Sequence, residues 1–193
     1  MQPIDVAVGL RADENGWAEG RIDPLPIARA WSLFSPEPDC RIDIERWSHH
    51  AHRFFALRIG VAPKKAYPSG GSPLVDAFDF EVSPVGGGEE MERARVITVP
   101  LDRAPEARAA ALVIARGPTG GGFEALILRA KRLWQIAVPS SPELGAQSDP
   151  RSVIAAATVL ASVLLAPILP PGESVVFGVK TARERLERLR TGA

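Results

Sequence analysis

The three histidines of the chain lie together, at His49, His50 and His52. Imidazole is the commonest side-chain ligand of metal ions in proteins, and short histidine-rich tracts bind zinc or similar ions. On a strand, His50 and His52 would share a face, whereas on a helix His49 and His52 would share one with Glu45. The cluster therefore suggests a metal site or a metal-dependent enzyme, with a divalent cation as the cofactor.

A simpler interpretation places the same histidines at the polar tip of a hairpin. Residues 40–47 and 55–61 each alternate apolar with polar side chains, which predicts a strand on either side of the cluster. Cys40, the single cysteine of the chain, would supply a fourth metal ligand only if the first strand folds back. The ligand spacings typical of zinc sites are not matched, and no residue is predicted to be catalytic.

Two glycine triplets, at 86–88 and 120–122, invite a phosphate-loop interpretation, which their surroundings exclude. A phosphate loop of that class ends in Gly-Lys-Ser or Gly-Lys-Thr and leads directly into a helix. The second triplet instead separates two apolar runs, 110–116 and 123–130. This arrangement predicts a hairpin of two strands with residues 117–122 as its turn.

The passage from Ala111 to Glu143 resembles the opening strands of Nudix hydrolases, with a Trp and a Pro before the position of the catalytic helix. In that family the helix carries glutamates that bind a divalent metal ion. The corresponding segment here, 151–166, contains no acidic residue. Nudix activity is therefore not expected.

The most apolar passage of the chain is Val153 to Leu169. Asp149 and Pro150 are typical of a helix start, and Pro167 predicts that the helix ends near Ala166. Such a helix rises about 25 Å, which is shorter than the roughly 30 Å hydrocarbon core of a bilayer. We therefore predict a buried core helix over 150–166, with membrane association through 153–169 as an alternative.

Two further helices are predicted. Asp23-Pro24 followed by apolar residues at helical spacing predicts a short helix over 25–34. Near the other end, an amphipathic helix is predicted over 181–190, on which Arg183, Leu186 and Leu189 are candidates for contact with a partner protein. The alternative for this second helix is that it lies on its own domain with a solvated outer face.

Alternating patterns predict additional strands at 78–82, 95–101 and 175–179, and the loop 63–73 is a candidate partner-contacting segment. The fold class expected is α+β, built mainly on an antiparallel sheet of short strands. Residues 1–193 would form a single domain, or two lobes, 1–83 and 93–193, joined by the glycine-rich loop 84–92.

Composition narrows the range of functions. Lys plus Arg equals Asp plus Glu at 23 each, so no overall basic charge favours nucleic acid as a partner. The first residues lack the basic and long apolar regions of a secretory signal, which favours a cytoplasmic protein. We expect a non-enzymatic binding or assembly subunit whose partner is another protein or a second copy. The alternative hypotheses are a metal-binding protein or metal-dependent enzyme and a membrane-associated protein.

Overall fold

The computed structural model describes residues 4–6, 10–12, 18–19, 23–39, 42–62, 77–86, 92–118, 120–137 and 150–191. These residues form an α+β fold with a six-stranded antiparallel sheet and five α-helices. The strands are β1 (Ile4–Val6), β2 (Leu10–Ala12), β3 (Ala18–Glu19), β4 (Ala30–Ser35), β5 (Leu57–Ala62), β6 (Ala77–Pro84), β7 (Glu92–Pro100), β8 (Arg132–Ala137) and β9 (Ile168–Leu169). The helices are α1 (Ile44–Phe55), α2 (Pro105–Arg116), α3 (Glu124–Arg129), α4 (Pro150–Leu164) and α5 (Val179–Thr191).

The main sheet has the strand order β5-β6-β7-β8-β4-β9, and every neighbouring pair is antiparallel. Its strands come from both 1–83 and 93–193, because β6 pairs with β7 and β4 pairs with β8. The strands β1, β2 and β3 form a separate three-stranded antiparallel sheet. The predicted strands at 55–61, 78–82 and 95–101 are confirmed as β5, β6 and β7, except that Phe55 ends α1 and Leu101 begins a 3₁₀ turn. At 175–179 only Phe177 forms a bridge, with Ile168.

The main sheet separates two hydrophobic cores. On one face, the sheet residues Trp31, Leu33 and Trp134 pack with α1, α4 and α5. On the other face, Phe34 and Leu133 pack with α2 and α3. Neighbouring residues of β4 and β8 thus point to opposite cores, as the alternation of side chains along a strand requires.

The helix predicted over 25–34 is wrong. Ile27–Arg29 form one 3₁₀ turn, and Ala30–Ser35 form β4. All six residues of β4 are buried, since the strand lies inside the sheet with a core on each face. A strand covered on both sides is apolar without alternation, and its apolar residues matched a helical spacing by coincidence.

The strand predicted over 40–47, with the histidines at its tip, is also wrong for the described residues, because Ile42 and Asp43 belong to no strand and Ile44 begins a helix. The side chain of Asp43 caps this helix, α1, by accepting a hydrogen bond of 3.1 Å from the Arg46 N–H. Its buried residues are Trp47, Ala51 and Phe55, one per turn. Cys40 and the loop 63–73 lie outside the described residues.

The predicted hairpin over 110–130 is wrong as well, because both apolar runs are helical. Pro105 opens α2, and the helix buries Ala107, Ala111 and Ala115 at a spacing of four. Gly120 then folds back so closely that a Cβ there would overlap the Ala115 backbone, so the glycine permits a helix-to-helix turn.

The buried helix predicted over 150–166 is confirmed as α4. It ends at Leu164, where Leu165 takes a left-handed conformation (φ 52°) and the Ala166 N–H bonds to the Ala161 carbonyl, ahead of Pro167. Among the described residues, no helix is both long enough and apolar enough to cross a bilayer. The amphipathic helix predicted over 181–190 is confirmed as α5.

Candidate functional site

Helix α1 determines where the histidines lie. Its inner face is fixed by Trp47, whose ring meets that of Trp134 edge-to-face at a centroid distance of 6.2 Å, and by the fully buried Ala51. With that face inward, His49 and His52 are exposed, while His50 is half-buried at the side of the helix. The imidazole of His50 therefore points away from the face that His49 and His52 share.

His50 links α1 to α4. Its Nε2 lies 2.6 Å from the Ser162 hydroxyl, and its ring stacks at a tilt on Phe54, with a centroid distance of 4.7 Å. Burial, together with the positive charges of Arg46 and His49, lowers the pKa of His50 below the ordinary value of 6.5. The imidazole is therefore neutral near pH 7.

A neutral imidazole in contact with a serine hydroxyl is the arrangement that activates a serine nucleophile. A working pair also needs a third group to orient the imidazole and donors to stabilise an oxyanion. Within the described residues, Ser162 is the only hydrogen-bond partner of His50. The contact is best explained as a tie between two helices.

The predicted metal ligands are not brought together. His50 turns toward Ser162, while His49 and His52 share the exposed face with Glu45, as the helical alternative predicts. No group of three His, Cys, Asp or Glu residues in the described part of the chain could hold a metal ion. A metal site at this cluster remains a prediction from sequence.

The three predicted partner-binding residues of α5 have different environments. Leu186 is 3% exposed and packs in the core beneath α4, and Leu189 is half-buried. Arg183 is exposed and forms an ion pair with Glu187, with 2.8 Å between Nε and Oε1. The helix therefore lies on its own domain, and of these three side chains only Arg183 is largely open to a partner.

An apolar surface that was not predicted from the sequence lies on α2 and α3. Val113 is 71% exposed, Leu128 46% and Leu126 42%. Leu126 and Leu128 lie on opposite sides of the buried Ile127, because they are two positions apart on the helix. We call the outward sides of α2 and α3 that carry these three residues the α2–α3 face. The two helices run antiparallel, because Arg108 Nη2 donates to the Leu128 carbonyl (3.0 Å) at one end and Arg116 Nε to Glu124 Oε1 (2.6 Å) at the other.

The sequence did contain a signal for this surface. Alanines at 107, 111 and 115, preceded by Pro105, are typical of a helix that packs closely through small residues. On such a helix Val113 falls outside the buried stripe. The strand interpretation of residues 110–116 gives no such signal. In a strand alternate side chains face the core, so an exposed apolar residue at Val113 is not expected.

Comparison with known proteins does not assign the chain to a family. No protein-family model matches it, and no curated protein or solved structure matches it at a significant level. A proposal about function therefore depends on the side chains themselves.

Proposed function

We propose that the protein is a binding or assembly subunit that docks onto another polypeptide, a different protein or a second copy, through the α2–α3 face. The observation that supports the proposal is the composition of α3. Of its four apolar residues only Ile127 is buried, while Ala125, Leu126 and Leu128 are exposed. The protein's own core does not account for so apolar a helix.

Exposed apolar surface is informative when it is grouped. Single exposed leucines are normal on protein surfaces, whereas grouped ones mark interaction sites. Covering such surface contributes about 25 cal/mol per Å² of free energy. The ion pair of Arg116 with Glu124 and the exposed Arg129 border this face, and an apolar centre with a charged rim is typical of protein–protein interfaces.

Native mass spectrometry of the purified, tag-free protein tests the proposal, since it reports the number of subunits and any retained chain. The variants are Val113→Glu and Leu128→Glu, and the matched control is Leu165→Glu. Leu165 is 74% exposed and follows α4, which packs on the opposite face of the sheet. We expect a complex that both face variants weaken at least tenfold and that the control leaves intact.

Equal complexes for the wild type and both face variants would contradict the proposal, as would an equal loss in the Leu165→Glu control. If the wild type is monomeric, the wild type and Val113→Glu are each cross-linked to their partners in lysate instead. If both proteins then recover every cross-linked chain equally, the proposed docking through the α2–α3 face is contradicted. Far-UV circular dichroism checks that each variant is folded. A cytoplasmic location remains a prediction.

A further inference from the structure

A second surface, on the opposite side of the sheet from α2 and α3, has the form of a small-ligand site. A cavity of about 320 Å³ opens where the first turn of α4 and the last turns of α5 meet the ends of β5 and β6. Its lining includes Leu57, Val82, Ala155 and Leu186, each less than 5% exposed. Small-molecule sites are concave and mainly apolar, with a few charged or polar groups that orient the ligand.

Among the described residues, the charged groups that line this cavity are two guanidinium groups and one carboxylate. Arg190 lies on α5, Arg151 on the first turn of α4, and Glu92 at the start of β7. The described lining thus carries one net positive charge, which suits a singly charged anion better than a dianion. Electrostatic complementarity of this kind selects among ligands of similar shape.

Arg190 is held in place by the protein. Its Nη1 donates a 3.1 Å hydrogen bond to the carbonyl of Phe55, the last residue of α1. Burial lowers the pKa of Arg190, against the opposing effect of the Glu187 carboxylate. Within the described residues its one hydrogen bond is to this neutral carbonyl, although a guanidinium has five N–H donors. Its remaining donors can therefore meet a carboxylate.

We infer that this cavity binds a small amphipathic monocarboxylate, whose carboxylate pairs with Arg190 in the positive field of this lining and whose hydrocarbon part lies on Leu57, Val82 and Leu186. A cavity of about 320 Å³ holds roughly ten non-hydrogen atoms if each occupies the ~30 Å³ of a water molecule. A straight-chain carboxylate of eight carbons matches this size. The inference is independent of the α2–α3 face.

Isothermal titration calorimetry of the full chain with octanoate tests the inference, with 1-octanol as the uncharged ligand of equal length. The variant is Arg190→Gln. Its matched control is Arg183→Gln on the same helix, where the arginine pairs with Glu187 and does not line the cavity. We expect octanoate to bind the wild type and the control equally, and Arg190→Gln at least tenfold more weakly, as loss of a charge-assisted hydrogen bond implies.

Octanol binding as tight as octanoate, equal octanoate affinities for the two variants, or no octanoate binding by the wild type at millimolar concentration would each overturn the inference. If Arg190→Gln does not fold, Arg151→Gln tests the same charge requirement from α4. The inference then requires this variant to lose octanoate affinity while binding octanol as the wild type does.

Discussion

The environment of His50 makes a pH dependence of folding expected. In the folded protein the pKa of His50 is lowered, first by burial and then by the positive charges of Arg46 and His49. In the unfolded chain it returns to about 6.5. Below that pH the unfolded chain binds more protons than the folded one, so the stabilisation present above pH 6.5 is lost as the pH falls toward the lower pKa.

We therefore predict that the unfolding temperature falls more between pH 7.5 and pH 5 in the wild type than in His50→Gln. Glutamine can still bond to the Ser162 hydroxyl and does not titrate. His52→Gln is the control, because His52 is exposed on the same helix, and it should follow the wild type. Scanning calorimetry at the two pH values measures this. Parallel behaviour of the wild type and His50→Gln would show that His50 is not responsible.

Gly60 explains how a buried carboxylate fits between strands. Glu81 is 3% exposed, and its Oε1 accepts from Arg93 Nη2 at 3.0 Å. Its Oε2 has no hydrogen-bond partner among the described residues and would lie 2.9 Å from a Cβ at Gly60. A glycine within a strand often marks such a close approach.

A double-mutant cycle tests this account of Gly60. Gly60→Ala should lower the unfolding temperature of the wild type by about 2–4 °C, the shift expected for about 1 kcal/mol. In a Glu81→Ala background the same change should raise it, because the clash is gone and alanine costs less backbone entropy in a strand. Thermal unfolding of the wild type, the two single variants and the double variant measures these changes. The same sign in both backgrounds would refute the close-approach explanation.

At the level of elements, α2 shows how side-chain size sets the distance between a helix and a sheet. Its inward residues Ala107, Ala111 and Ala115 are all small and buried. Interiors are packed nearly as densely as organic crystals, so little space remains beneath this helix.

We predict that Ala111→Leu destabilises the protein by about 1–3 kcal/mol, because the added methylenes have no space against the sheet. Ala109→Leu, at an exposed position of the same helix, should change the free energy of unfolding by less than about 0.5 kcal/mol. Urea unfolding curves give both values. Similar losses for the two substitutions would argue against close packing of α2.

The elements that sequence predicted correctly are those with one dominant physical cause. Helix α4 follows from an uncharged apolar run that ends before Pro167, and β6 from phenylalanines that alternate with acidic residues. For β4 and α2 the cause is tertiary. Strand β4 shows no alternation of apolar and polar residues, because it is buried on both faces. The sequence of α2 is a short apolar run beside glycines, and such a run fits a strand and a helix equally well.

At the level of the whole molecule, the α+β class was predictable because alternating strands imply a sheet with a core. The strand order was not, because pairing between distant segments leaves no local pattern. The candidate sites likewise divide into those that the sequence predicts and those that only the fold creates. The histidines and Arg183 were visible as residue types, whereas the cavity at Arg190 and the α2–α3 face arise only when separate elements meet.

The position of β4 in the sheet also has a consequence for biosynthesis. Ser32 lies opposite Gln135, 103 positions later in the chain, and Leu33 lies opposite Ile168. At about 5–20 residues per second, the ribosome needs roughly 5–20 s to supply the first of these partners. During this time β5, β6 and β7 can pair with one another, because they are neighbours in the chain. The six residues of β4, which are all buried in the folded protein, remain exposed in the nascent chain. We expect β4 to be the segment that chaperones protect during translation.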